Sequence, residues 1–582
     1  GRFNTASGLS ALRYNTTGDN NTASGANALL FNTTGRSNTA NGSLALSSNT
    51  TGYSNVGIGV GTLNKNTTTS NLVAVGDSAL YNNTGVGNTA LGSKTLYTNT
   101  TGTYNTALGS KALYANTTGT YNTASGFQAL LLNTTGYSNT ASGALALKSN
   151  TTGYANTASG TGALQANTEG YSNTADGAAA LGANTTGGAN TASGTAALIS
   201  NTTGSENSAH GAGALYSNTT GAKNTALGVG ALFSNTTGRA NVGIGAGALN
   251  TNTTSSNLVA VGDSALYNNT GIGNTALGSK ALYDNTGGAY NTAGGFKALQ
   301  ANTLGLYNTA SGAFALYLNT TGGFNTATGH SVLFGNTTGS FNTAVGEIAL
   351  HSNSTGSSNT GLGYNADVFT SGLSNATAIG ANATVNASNK IRLGDAGVTV
   401  IEGQVAYTFP SDGRFKTNVS EEVKGLDFIT RLRPVVYNFD TRKFDDYLHQ
   451  NMPDSLKAHL KDQDYRASTA IRQSGFIAQE VEAAMRASGY DFNGLHRPEN
   501  EDDYYTVAYS QFVVPLVKAV QEQQETITAQ QAELDALKAQ NTAQQAELDT
   551  LKAQNSAQQV AFEQRLQHLE ASLQQLNNAA NK

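Results

Sequence analysis

Apolar positions recur with a fixed period along the first two-thirds of the chain. The glycine closing the phrase Asn-Thr-Ala-Ser-Gly falls at Gly8, Gly25, Gly42, Gly59, Gly76 and Gly92, and on to Gly363 and Gly380. These are 22 intervals, 20 of 17 residues and two of 16. Leu stands four positions after the glycine in each of the first 21 units, from Leu12 to Leu350. The position two before it is always Ala or Gly, as at Ala6, Gly57, Ala141 and Gly361. A short constant period signals stacked coils.

Helix fits this pattern poorly. Gly and β-branched Thr return every few residues and leave no apolar stripe of period 3.6. Two strands of about four to six residues per coil, joined by Asn/Gly turns, are predicted instead. At ~4.8 Å per coil the intervals stack into a rod on the order of 105 Å long. One Leu and a few Ala per coil make a thin core against the entropy of ordering 17 residues. Sharing the Leu column among chains would thicken it, so an oligomeric rod, most simply a homotrimer, is predicted. A longer repeat overlies the short one: the block at 55–97 returns from Asn241, 186 residues on. Block duplication of this kind suits a spacer better than an active site.

A different periodicity begins near residue 513. Ile527, Leu534, Leu548, Phe562, Leu569 and Leu576 keep seven-residue spacing, with Leu537 and Leu551 three positions later. Asn541 and Asn555 fill the vacant heptad positions, and Gln544 and Gln558 the next column, as polar layers that pin register and oligomer state. After Phe562 the seam shifts to Leu566 and Leu573, a stutter. A trimeric coiled coil is predicted.

Composition sharpens the division. Residues 1–403 hold 13 Lys/Arg and 11 Asp/Glu; the remainder hold 18 and 25. All five prolines (Pro410, Pro434, Pro453, Pro498, Pro515) lie in the second part. The expected organisation is a repeat rod over 1–403, a linker over 404–410, a small α+β domain over 411–515 and the coiled coil over 516–582. A net charge of −5 with no basic stripe argues against nucleic acid. No apolar run reaches the roughly 18–20 residues that span a bilayer. Cysteine is absent, which excludes disulfides and thiolate metal sites. The chain opens in mid-pattern, so a fragment or processed product is expected, with any leader or anchor upstream.

Candidate chemistry is sparse. His210, His330 and His351 lack ligand spacing and read as solvent-facing positions; the acidic run 499–503 reads as a solvated loop. No metal or cofactor is expected. The Asn-Thr-Thr sequons are a by-product of the repeat. Variable aromatics after Asn-Thr-Thr-Gly (Tyr53, Tyr104, Tyr121, Tyr137, Tyr154, Tyr171, Phe324, Phe341) are expected to be exposed and to suit glycan stacking.

Two stretches carry family resemblances. SNATAIGANATVNASNKIRLGD (374–395) resembles the head-to-neck sequences of trimeric bacterial surface adhesins, which implies a β-roll, a parallel trimer and an exit from the rod near Arg392. Further on, SDGRFK (411–416), LDFITRLRPVVYNFD (426–440), SGFIAQEVEAAM (474–485) and TVAYSQFVVPLVKAVQEQQ (506–524) follow in order. This series resembles the peptidase S74 domain, the intramolecular chaperone ending phage tailspikes, tail fibres and endosialidases.

The resemblance implies autoproteolysis of the Pro410–Ser411 bond by a Ser–Lys dyad, with Ser411 as nucleophile and Lys416 as base. A lysine can serve so only where burial or a neighbouring cation favours its neutral form. Arg414 is the candidate cation, and Asp412 a residue that orients the loop without a catalytic role. The implied protein is a tail fibre or bacterial cell-surface fibre, extracellular, whose partners are copies of itself and a glycan or protein receptor. The alternatives are an adhesin with a non-cleaving trimerisation domain, or the stalk of an upstream glycan-degrading enzyme.

Overall fold

The computed structural model describes residues 1–405, 407–450, 457 and 464–581. Residue 406 of the expected linker, and Pro453 within the expected α+β domain, lie outside the described residues. The chain divides into two compact units: residues 1–398 with 441–465, and residues 399–440 with 466–582.

The first unit is a β-solenoid. One parallel sheet of 24 short strands runs from Thr5–Ser7 to Ile391–Leu393, and successive strands pair in chain order. Thr157 lies beside Thr174 and Ala158 beside Ala175, so the register equals the sequence period. Each full coil contributes one strand of three residues rather than the expected two of four to six. The rest of the coil is tight turns. Leu164, Ser172 and their counterparts sit at φ near +50°, a left-handed backbone that breaks strand geometry. A second strand appears only in the last coils, where Asp367–Val368 pairs with Thr384–Val385.

The core closes within one chain. Leu29, Leu46, Leu164 and their counterparts are fully buried, as are the Ala residues beside them. The Leu column therefore has no need of neighbouring chains, and the thin-core argument for a trimer does not hold. The Ala/Gly column packs on Leu: a Cβ at Gly57 would meet Leu46 at 3.4 Å. Close backbone approach occurs at the repeat glycine itself. A Cβ at Gly143, φ +137°, would lie 2.5 Å from the Gly160 carbonyl oxygen of the next coil.

Asparagine supplies the other half of the interior. Two Asn per coil, read from the sequence as turn residues, are fully buried and form ladders. In one ladder Asn150 Nδ2 donates to Asn133 Oδ1 at 2.8 Å and to the Gly153 carbonyl at 2.9 Å. In the other, Asn156 donates its backbone N–H to Asn139 Oδ1 at 3.0 Å and its Nδ2 to the Gly170 carbonyl at 2.8 Å. Buried amides are tolerated only when so satisfied. The 16-residue coils interrupt the first ladder. There Asn83 turns its amide onto Gly85, two residues away, and Asn66 Oδ1 is left without a partner. The same change orphans Asn252 Oδ1 beside Asn269.

The second unit is small and mixed α/β. Val435–Asn438 pairs antiparallel with Arg472–Gly475, and Leu495–His496 with Thr506–Val507. Phe428, Val481, Met485, Phe492 and Phe512 fill its core. A helix of 68 residues, Val513–Ala580, ends the fold. Its first turns belong to the core, with Pro515 and Ala519 buried, and Glu522 Oε2 accepts the Leu426 N–H at 2.7 Å to cap the helix Leu426–Ile429. Beyond this the helix is exposed, including Leu534, Leu548 and Phe562 of the heptad column. Among the described residues no helix is long and apolar enough to cross a membrane.

Candidate cleavage site

SDGRFK forms a small self-contained turn. Asp412 carries an extended backbone, and its carboxylate accepts the Arg414 N–H at 2.9 Å, capping the 3-10 turn Gly413–Phe415. The same carboxylate takes the Arg414 guanidinium through Nε at 2.9 Å and Nη2 at 2.6 Å. The hydrogen bonds from Arg414 hold the Asp412 carboxyl below its usual range, and they raise the guanidinium in turn.

The turn returns the chain so that Lys416 Nζ donates to Ser411 Oγ at 2.8 Å. Ser411 and Lys416 are thus brought together, and Asp412 binds Arg414, the predicted cation. Pro410 and Ser411 are exposed, as is the whole turn. An ammonium donating to a hydroxyl cannot also take its proton.

Other predicted positions are distributed along the rod. His210 is exposed beside Ser208, and His330 faces Glu347 at 3.6 Å on the surface. His351 departs from the solvent-facing expectation: it stacks on Phe334 at 5.2 Å, and burial lowers its pKa. Asp503 of the acidic run is likewise buried rather than solvated, and it takes His496 Nε2 at 2.6 Å. Among the described residues no group of three or more metal-ligating side chains gathers.

The aromatics lie on the surface, and most of them stack on one another. Tyr137, Tyr154 and Tyr171 stack in series with centroids 5.0 and 5.4 Å apart. Tyr290, Tyr307, Phe324 and Phe341 form a longer stack of the same kind. Glycines close off stack ends: a Cβ at Gly188 would lie 2.9 Å from the Tyr171 ring, and one at Gly273 2.7 Å from Tyr290. Rings within a stack spend their faces on one another, whereas Tyr121 and Phe341 each end a stack and are 62% and 60% exposed.

One cluster has no counterpart in the sequence reading. The helix Thr441–Leu448 belongs to the solenoid unit and buries Thr441, Asp445 and Leu448, followed by His449. His449 Nδ1 donates to the Asp445 carbonyl at 2.9 Å, and Nε2 shares a hydrogen bond of 3.0 Å with the Thr384 hydroxyl. Tyr465 donates to Asp445 Oδ2 at 2.6 Å. Burial pushes Asp445 upward, but bonds from His449 and Tyr465 and the charges of His449 and Arg392 outweigh it and lower its pKa. Asp367 is fully buried nearby, and burial raises it to about 6 despite hydrogen bonds from Ser352 and Val368 and the charge of His449. The spacing 441, 445, 448, 449 was the available signal, an apolar-and-polar helical face.

Comparison with known proteins supplies one family. The peptidase S74 family model, described as chaperone of endosialidase, matches residues 411–490. No curated protein matches the chain.

Proposed function

We propose that the chain is a fibre protein of tail-fibre type whose C-terminal part assembles three copies, sets their register and is cut loose by autoproteolysis before Ser411. The observation that carries this is the family match, which begins at residue 411, directly after a long solenoid. The contact of Lys416 with Ser411 supports the dyad, and the exposed heptad column of Val513–Ala580 supports a three-stranded coiled coil.

The chemistry balances as an acyl shift followed by hydrolysis. Neutral Lys416 takes the Ser411 Oγ proton as the oxygen attacks the Pro410 carbonyl carbon. The C–N bond breaks, and the departing Ser411 nitrogen receives that proton from Lys416. Water then opens the ester, leaving a Pro410 carboxylate and a free Ser411 amine and hydroxyl. Burial disfavours a lysine's charged form, so assembly that covers the exposed turn would switch cutting on after register is set. Near-identical coils make register a real problem for associating copies, and a fibre whose nucleus has been removed is held kinetically. The expected location is extracellular, on a virion tail or bacterial surface. Receptor contact falls to the variable positions of the coils, including the exposed rings that end the aromatic stacks.

A denaturing gel tests the cutting. Wild-type chain should yield two bands summing to 59.6 kDa, and Ser411→Ala one band at that mass. A single full-length band from both overturns the autoproteolytic reading.

A further inference from the structure

A cut before Ser411 severs the chain, but it leaves the helix Thr441–Leu448 on the C-terminal piece. That helix folds with the solenoid, not with residues 399–440 or 466–582 of the C-terminal piece. We propose that Thr441–His449 is a clip that keeps the cut C-terminal piece docked on the last coils of the rod. This rests on the cutting proposed above.

The contact has the character of a built interface. Thr441, Asp445, Leu448 and His449 occupy one helical face and are almost wholly inaccessible to solvent. Their counterparts, Asp367, Val368, Thr384 and Val385, are equally buried, and they form the extra strand pair found only in the last coils. Outside this face Arg392, on the last solenoid strand, lies over the Phe444 ring at 5.5 Å. The Thr384–His449 hydrogen bond joins the two sides through side chains that no solvent reaches. Breaking one member of such a pair strands the other, at the cost of a buried unsatisfied group.

The solenoid gives the clip its purpose. A stack of coils ends on an unpaired edge and an open apolar core, and repeat folds cover such ends. Departure of the C-terminal piece would expose Val368, Val385 and the buried Asp367. Severing the peptide bond thus removes the covalent tie without removing the cap, and release becomes a separate step.

Gel filtration of the full chain at pH 7 tests the clip. One sample is the self-cut wild type. The other is Ser411→Ala carrying a recognition sequence for an added site-specific protease between Gly403 and Gln404, cut by that protease. Failure of self-cutting shows on the denaturing gel of the first sample alone and leaves the second to report on the clip. The two pieces should co-elute in the second sample. Leu448→Asp should reduce the co-eluting fraction at least tenfold, and Thr384→Val, which alters the rod side without disturbing its shape, should speed loss of the C-terminal piece on dilution. Pieces that separate without any substitution overturn the clip, as does co-elution undiminished by both substitutions.

Discussion

Asn139 and Asn156, one coil apart, share a single oxygen: Asn139 Oδ1 accepts both the backbone N–H and the Nδ2 of Asn156, at 3.0 and 3.1 Å. Asn156 passes the same arrangement on to Asn173. Asn156→Ala deprives the Asn173 N–H of its buried partner and Asn139 Oδ1 of one of its two donors, while the Gly170 carbonyl keeps the Asn167 amide. A loss of about 2–4 kcal/mol is expected, confined to adjacent coils because solenoid repeats couple to their neighbours. Hydrogen exchange should show protection falling roughly a hundredfold over residues 139–173 while distant coils keep theirs.

In the turn 411–416, Asp412 binds Arg414 and caps the 3-10 turn, so in the proposed cutting it would act as an orienting residue. Asp412→Ala should slow cutting by about tenfold as the Ser411–Lys416 contact loosens. Lys416→Met should stop it. Timed denaturing gels separate these outcomes, and equal rates for Asp412→Ala and wild type would remove the orienting role.

Asp367 gives the rod end a defined pH response. Its carboxyl titrates at about 6 in the fold, against 3.8 as an ordinary aspartate. Above pH 6 it is ionised both folded and unfolded, and the folded state carries the full cost of a buried charge. As pH falls from 6 towards 4 the folded form takes up a proton first, so stability rises by up to about 1.4 kcal/mol per unit. Denaturant melts of wild type and Asp367→Asn should diverge at pH 7, with the variant more stable, and converge near pH 4.

The long helix exposes an apolar column with no partner in a single chain. Leu534→Asp with Leu548→Asp should abolish assembly while leaving the core around Phe428 and Phe512 folded. Sedimentation should report a trimer for the parent and a single chain for the double variant. An unchanged trimer would place the contact elsewhere.

Much of this was legible in the sequence, and the failures have physical reasons. The 17-residue register and the buried Leu column follow from periodicity, because each column maps onto one position in every coil; the exit near Arg392 rests on the resemblance of 374–395 to adhesin heads. Ser411 and Lys416 stood out through their motif. The Asn ladders have no local signature because Asn is ordinarily a turn residue; here repetition pairs buried amides with their counterparts, except beside the 16-residue coils, where Asn66 and Asn252 keep an unpartnered oxygen. Two strands per coil were expected, but left-handed backbone at each Leu breaks the second, and positive φ at positions such as Ala155 and Gly160 bounds the first at three residues. The docking of His449 on Thr384 depends on contacts 65 residues apart in sequence, which no local pattern reveals.

The two short coils carry a genetic consequence. They lie 186 residues apart, ten coils of 17 and one of 16, within blocks of nearly the same sequence. Unequal recombination between those blocks would delete residues 55–240 and set Asn241 after Ser54. The strand Thr39–Asn41 would then lie beside Val242–Ile244 as it now lies beside Val56–Ile58, with both asparagine ladders carried across the join. One such event would shorten or extend the solenoid by eleven coils without any residue having to learn a new contact.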